Sequence, residues 1–260
     1  MIAGNEVPAN EEHTLAIDAH SIFVHYTKCI APALQNLTLE VRQGEFYGLL
    51  GTNGAGKTTA VSILSGFFQP DSGTVRIMGM EYGRQTQQIR QVLGLVPQDI
   101  AVYEKLTARE NLQFFGRMYG FAGNELQRRV EDSLAFAQLS GQASRLVATF
   151  SGGMKRRLNL AAGLLHSPKI LFLDEPTVGI DTQSRHLILN QLAALNREGT
   201  TILYTTHYME EAQELCSRVG IIDNGAIVEQ GAPAALLENS GSRNLEELFL
   251  QLTGKQLRDV

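Results

Sequence analysis

Gly51-Thr52-Asn53-Gly54-Ala55-Gly56-Lys57-Thr58 is the stretch that decides the fold. It fits G-x-x-x-x-G-K-[ST], the pattern of a loop that cradles phosphate. Glycine turns the backbone tightly and lets its N–H groups approach phosphate oxygens. A helix-like segment runs from about Lys57 to Leu64 and points its positive dipole end at the same place. Lys57 adds a point charge, and the Thr58 hydroxyl suits Mg²⁺. Such a match arises by chance in about one chain per hundred of this size. Upstream, Phe46-Tyr47-Gly48-Leu49-Leu50 is an apolar run read as a buried strand, so the loop joins strand to helix.

Further out, strand-like and helix-like segments alternate. Leu37, Leu39 and Val41 alternate with Thr38, Glu40 and Arg42, and Thr74 to Ile77 repeat the pattern before a Gly79 turn. From about Thr107 to Leu165 the pattern is mostly helical. Thr107-Ala108-Arg109-Glu110 reads as a capping box, and Leu112, Phe115 and Tyr119 share one helical face. Tyr103, Phe114, Phe115, Tyr119 and Phe121 gather here, as the core of a helical subdomain or as a patch for a partner helix. Strands return at Ile170–Leu173 and Thr201–Tyr204, around a helix from Asp181 to Arg197 that Gly199 stops. Ile221-Ile222-Asp223 and Ala226-Ile227-Val228 flank Asn224-Gly225, a hairpin signal. The expected architecture is α/β with a helical insertion in its middle.

A phosphate loop needs a carboxylate on a neighbouring strand to hold Mg²⁺. Ile170-Leu171-Phe172-Leu173-Asp174-Glu175-Pro176 supplies one. Four apolar residues suit a parallel strand buried on both faces, and Asp174 emerges at its carboxyl end, where open α/β sheets bind ligands. Glu175, next in line, is placed to accept a proton from attacking water. Phe150-Ser151-Gly152-Gly153-Met154-Lys155-Arg156-Arg157 opens another helix-like stretch, so Ser151, Gly152 and Gly153 offer a hydroxyl and free N–H groups to a second anion.

Composition bounds the class. The chain has 260 residues, 43% hydrophobic and 19% charged, which suits one or two packed domains and excludes disorder. With 22 Lys+Arg against 27 Asp+Glu, the net charge of −5 disfavours a protein that wraps nucleic acid. Cys29 and Cys216 form no disulfide framework, and a reducing compartment is expected. No stretch approaches the ~18 apolar residues of a membrane span. Residues 1–13 are polar, expected as a loose tail without a signal-peptide core. The six histidines show no metal-ligand spacing.

Together these motifs resemble the ATPases of ATP-binding cassette (ABC) transporters, across nearly the whole chain after the tail. Gly51–Thr58 matches the family's Walker A, Ile170–Glu175 its Walker B, and Ser151-Gly152-Gly153 its signature loop. Gln98 in Leu95-Val96-Pro97-Gln98 falls at the Q-loop, Asp181 in Gly179-Ile180-Asp181 at the D-loop, and His207 in Thr205-Thr206-His207 at the switch histidine. Tyr26 lies where the family stacks an aromatic on adenine. The signature reads F-S-G-G-M rather than L-S-G-G-Q, which bears on subfamily more than on nucleotide binding. Met154-Lys155-Arg156-Arg157, Val178–Asp181 and Asn244–Phe249 resemble exporter ATPases of the daunorubicin-resistance type.

The resemblance implies a P-loop NTPase fold: a mixed-sheet ABC ATPase core with an antiparallel β subdomain and an inserted helical subdomain. The domain would span 14–243, with the helical part at about 100–165 and a short C-terminal helix or tail at 244–260. It implies ATP and Mg²⁺, and a head-to-tail dimer, with itself or with a second ABC ATPase. Each ATP would lie between Gly51–Thr59 (including Thr52, Asn53, Ala55 and Thr59) of one subunit and Ser151–Gly153 of the other, with Asp181 bordering it. Thr58, Gln98 and Asp174 would surround the metal, and Glu175, Gln98 and His207 would serve the chemistry. An integral membrane permease would be the partner, holding the chain at the cytoplasmic face of the cell membrane; no nucleic acid is expected. The competing readings are an ABC-type ATPase acting on ribosomes or DNA, and a regulatory ATP-binding module without turnover. Only about 116 residues separate Lys57 from Asp174, and no heptad run lies between them, unlike the coiled-coil ATPases of the first class.

Overall fold

A computed structural model of the chain describes residues 14–27 and 29–254. The expected tail at 1–13 and the last residues of the expected C-terminal piece, 255–260, lie outside them. In chain order the elements are β1 (Leu15–Val24), β2 (Leu34–Arg42), β3 (Phe46–Leu50), α1 (Lys57–Leu64), β4 (Ser72–Ile77), β5 (Met80–Glu81), α2 (Thr86–Val92) and β6 (Leu93–Val96). Then come the helices α3 (Ala108–Met118), α4 (Gly123–Phe136) and α5 (Gly152–Leu164). The last part is β7 (Ile170–Asp174), α6 (Thr182–Arg197), β8 (Thr201–Thr206), α7 (Met209–Leu215), β9 (Arg218–Asp223), β10 (Ala226–Gly231), α8 (Pro233–Ser240) and α9 (Leu245–Thr253).

A six-stranded sheet runs β10-β9-β3-β8-β7-β6, parallel except for the antiparallel β9–β10 hairpin. A four-stranded antiparallel sheet, β2-β1-β4-β5, lies beside it. Strands β3 and β7 are buried at every position, as strands covered on both faces must be. Their side chains alternate between two cores. Tyr47, Leu49, Ile170 and Phe172 join α1 and the antiparallel sheet. Phe46, Leu50, Leu171 and Leu173 join α6, α7 and α9 on the opposite face. The C-terminal helix α9 is an integral part of this second core, through Leu245, Leu248 and Phe249.

The middle of the chain builds a third core. Leu112, Leu126, Val130, Leu134 and Leu158 are buried between α3, α4 and α5. The expected capping box is present: Thr107 Oγ1 accepts from Glu110 N, and Glu110 accepts from Thr107 N. The aromatics do not fill this core. Tyr103, Phe114 and Tyr119 are 50%, 38% and 40% exposed, and Phe115 and Phe121 pack only partly buried against its edge. The buried positions between the three helices are mainly aliphatic, with Phe150 the aromatic among them. The rings of Tyr103, Phe114 and Phe115 instead gather at the rim, with centroids 4.9 Å and 5.6 Å apart in successive edge-on pairs.

Strand β1 has no clean sequence signal, because it is bulged. Its register shifts between Leu15 and Ile17, between Ala19 and Ile22 and between Ile22 and Val24, so the two-residue alternation breaks. The β9–β10 turn is the expected hairpin: Asp223 pairs with Ala226, and Asn224 and Gly225 have φ of 47° and 78°. This turn also braces the phosphate loop. Gly225 N donates to Ala55 O at 2.9 Å, and Gln35 N donates to Gly225 O at 2.8 Å.

A side chain at residue 225 has no room, since a Cβ there would meet Ala33 O at 2.6 Å. Gly225→Ala combines that clash with a left-handed backbone, and we expect a loss of about 2–4 kcal/mol. Urea unfolding reads it; an unchanged midpoint would contradict the bracing role.

Candidate functional site

The Gly51–Thr58 loop leaves the carboxyl end of β3 and enters α1. Gly54 and Gly56 have φ of 78° and 111°, conformations that favour glycine. Gly51 is closed in from behind, as a Cβ there would meet Ile222 O at 2.5 Å. The N–H groups of Gly54, Gly56, Lys57 and Thr58 find no acceptor among the described residues. Lys57 is buried, its Nζ donating to Gly51 O at 2.9 Å and Thr52 O at 3.0 Å. Thr58 is exposed at the helix start. Tyr26, at the end of β1, is also exposed and sits beside the loop, its hydroxyl 3.4 Å from Thr59 Oγ1.

Parallel pairing of β3 with β8 and of β8 with β7 brings three strand ends together. Asp174 ends β7, is buried, and accepts a 2.7 Å bond from Thr205 Oγ1 on β8. Glu175 follows with φ 47°, a strained backbone for a non-glycine residue. Its N–H is held by Thr205 O at 3.2 Å and Thr205 Oγ1 at 3.0 Å. Its carboxylate lies between the Lys57 ammonium and the His207 ring: Lys57 Nζ is 2.9 Å from Oε1, and His207 Nδ1 is 3.3 Å from Oε2. The structure thus brings Gly51–Thr58, Asp174, Glu175 and His207 to one place.

A second cluster forms elsewhere. Ser151 caps α5 by accepting from Met154 N at 3.3 Å, and Gly152 is exposed. Gly153 is buried against α6, where a Cβ would meet Ser184 Oγ at 2.1 Å and Asp181 Oδ2 at 2.9 Å. Asp181 caps α6, and the Ser184 N–H holds its exposed carboxyl below the usual range. No hydrogen bond or ion pair among the described residues joins Ser151–Gly153 to Gly51–Thr58. The Gln98 side chain is exposed after β6, while its carbonyl accepts from Arg156 Nη1.

Sequence reasoning assigned no role to Thr205, Glu211 or Arg156. The buried Glu211 on α7 accepts from Tyr204 Oη, from Thr177 Oγ1 at 3.1 Å and from Thr206 Oγ1 at 3.2 Å, and pairs with Arg185 of α6. Burial pushes the Tyr204 hydroxyl well above its ordinary pKa, and the Glu211 charge adds to it. This web fixes the segments on both sides of His207 and the residue two beyond Glu175. The available signal was three consecutive hydroxyls, Tyr204, Thr205 and Thr206, following the apolar Ile202-Leu203.

The site fits a nucleoside triphosphate with Mg²⁺. Its donors are open backbone N–H groups, a helix start and one lysine, which suit phosphate. Thr58 and Asp174 offer hydroxyl and carboxylate oxygens, and Gln98 an amide oxygen, all of which suit Mg²⁺.

The profile of the ABC transporter family matches residues 34–178. The linearmycin resistance ATP-binding protein LnrL of Bacillus subtilis (strain 168) is 45% identical over 215 residues, covering 83% of this chain and 69% of that protein. The Nod factor export ATP-binding protein I of Paraburkholderia xenovorans (strain LB400) is 44% identical over 216 residues, covering 83% of this chain and 71% of that protein. Among solved structures, a dimeric bacterial ABC transporter cassette superposes with a TM-score of 0.76 at 27% identity, covering 83% of this chain and 98% of that one.

Thr205→Val keeps the shape of β8 and removes the hydroxyl that serves Asp174 and Glu175. Leaving the buried Asp174 oxygen without its donor should cost about 1–3 kcal/mol. Denaturant unfolding of the purified variant measures it; wild-type stability would show the bond to be idle.

Proposed function

The chain belongs to the ABC transporter family as an ATP-binding, ATP-hydrolysing subunit, and we propose that it powers an exporter, closing as a dimer on ATP to drive a separate membrane permease. One observation carries this reading: the two phosphate-suited devices of the chain are complete but apart. Gly51–Thr59 lies with Asp174, Glu175 and His207, whereas Ser151–Gly153 lies with Asp181. In a head-to-tail dimer the second device of one subunit closes over the ATP held by the first device of the other. A homodimer suffices, because one chain carries both.

In this mechanism the N–H groups of Gly54, Gly56, Lys57 and Thr58 and the start of α1 hold the phosphates, and Tyr26 faces the adenine. Thr58, Asp174 and Gln98 would hold Mg²⁺, which would offset the charge of the phosphate oxygens. Lys57 now pairs with Glu175; arriving phosphates compete for that ammonium and free the carboxylate. Glu175 then accepts the proton of a water attacking the γ-phosphorus in line, and His207 steadies the γ-phosphate. Cleavage removes the charge that bridges the two subunits, and the dimer opens.

Export, rather than import, is supported by the printed roles of the relatives, drug resistance and Nod factor export. No helix among the described residues is long and apolar enough to cross a membrane; in this reading a separate permease supplies the pathway and would hold the chain at the cytoplasmic face. The exposed rim of Tyr103, Phe114 and Phe115 offers an apolar seat for a permease helix.

Glu175→Gln keeps the ATP contacts and removes the base, so it should shift the chain to dimer on size exclusion with Mg-ATP; a monomer there would contradict the mechanism. Replacing Tyr103 and Phe114 together by Ser should leave the isolated chain's ATPase within about twofold, since neither touches the site. It should abolish co-purification of the permease from detergent extracts, and intact co-purification would place the seat elsewhere.

A further inference from the structure

Arg156 is a charged side chain spent on three carbonyls. It lies on α5 beyond the Ser151 cap and is only 6% exposed. Nη1 donates to Gln98 O and to Pro97 O at 3.4 Å, and Nη2 donates to Val178 O at 3.4 Å. Among the described residues no carboxylate lies within ion-pair distance of it. Burial lowers its pKa, opposed by the more distant charges of Asp99 and Glu175. Asn159, one turn on, strengthens the same junction: its Oδ1 accepts from Ala101 N at 3.1 Å and its Nδ2 donates to Pro97 O at 3.4 Å.

A buried charge is a poor way to gain stability, because an apolar side chain of similar volume packs as well without desolvation cost. What a guanidinium supplies is a rigid planar fork with fixed donor directions. Here the fork spans two loops. One carries Gln98, two residues beyond the end of β6. The other runs from Glu175 to Asp181, through Val178. Both are fastened to the helix that begins at Ser151.

We propose that Arg156 is a positioning residue that couples the two ATP sites of the dimer, by tying the Gln98 loop and the Glu175–Asp181 loop of one site to the helix whose Ser151 end closes the other. The inference rests on the dimer reading above. When Ser151–Gly153 engages the ATP of the opposite subunit, α5 shifts as a rigid rod. The fork transmits that shift to Gln98 and to the segment carrying Glu175. Occupation of one site then sets the geometry of the other, which is cooperativity.

The test uses the purified full chain. Steady-state ATPase is measured against ATP concentration for wild type, Arg156→Lys and Arg156→Met, alongside thermal unfolding. Each is also combined with Glu175→Gln for size exclusion under Mg-ATP. Wild type should give a Hill coefficient approaching about two. Arg156→Met keeps the volume and loses the donors. It should bring the coefficient to about one and lower kcat about tenfold, with half-saturation within about threefold. Arg156→Lys keeps the charge, with its donors on a single nitrogen and no planar fork. It should lower the coefficient at an unchanged unfolding midpoint, and it decides the matter if the Met variant does not fold. Wild-type cooperativity in a folded Arg156→Lys or Arg156→Met protein overturns the proposal, as does a kcat loss that tracks lost stability with the coefficient unmoved. If Glu175→Gln alone gives no ATP-dependent dimer, the dimer reading fails first; a dimer with cooperativity indifferent to Arg156 defeats the coupling proposal only.

Discussion

The seating of β3 between β8 and β9 is the constraint on which the rest of the molecule depends. Its register sets Leu50 beside Thr206 on one side and Ile221 on the other. The chain leaving β3 therefore emerges beside the strand that leads to His207 and beside the hairpin whose turn touches Ala55. Five residues buried on both faces leave that strand no alternative register, since a one-residue slip would exchange the occupants of two cores. Everything polar at the site is hung from this apolar ladder.

The electrostatics of the site are those of a loaded position. Lys57 and Glu175 are both about 4% exposed and paired at 2.9 Å. A buried pair of this kind contributes little to net stability, yet losing either partner strands the other. Anions that compete for Lys57 change what surrounds Glu175. Thr205 steadies Asp174 and the Glu175 N–H together, which fixes the backbone of one carboxylate against the side chain of the other.

What the sequence disclosed, and what it concealed, follows from how local each signal is. The Gly51–Thr58 loop, the Asn224-Gly225 turn and the Thr107–Glu110 cap all act over a few residues, and their chemistry is written in consecutive letters. The burial of β7 followed from composition alone. Strand β1 was hidden because its bulges break the period on which strand reading rests. Sequence alone leaves the aromatics of the helical region open between core and a patch for a partner helix; the mainly aliphatic core between α3, α4 and α5 leaves Tyr103 and Phe114 outside. Thr205, Glu211 and Arg156 act on partners from 5 to 59 residues away in sequence. No pattern in one chain marks such contacts before the topology is known.

Glu175 is held at φ 47°, where a residue with a Cβ sits at a conformational cost of about 1–2 kcal/mol. Glycine or asparagine would rest there with less strain, and either would remove the carboxylate that faces Lys57 and His207. Backbone strain and a buried ion pair are therefore set against each other at a single position, since either replacement would leave Lys57 buried without its carboxylate. Relief of the backbone strain is smaller than the ~3–5 kcal/mol that losing one partner of a buried pair costs, so the glutamate is retained by its ion pair against the pull of its own backbone.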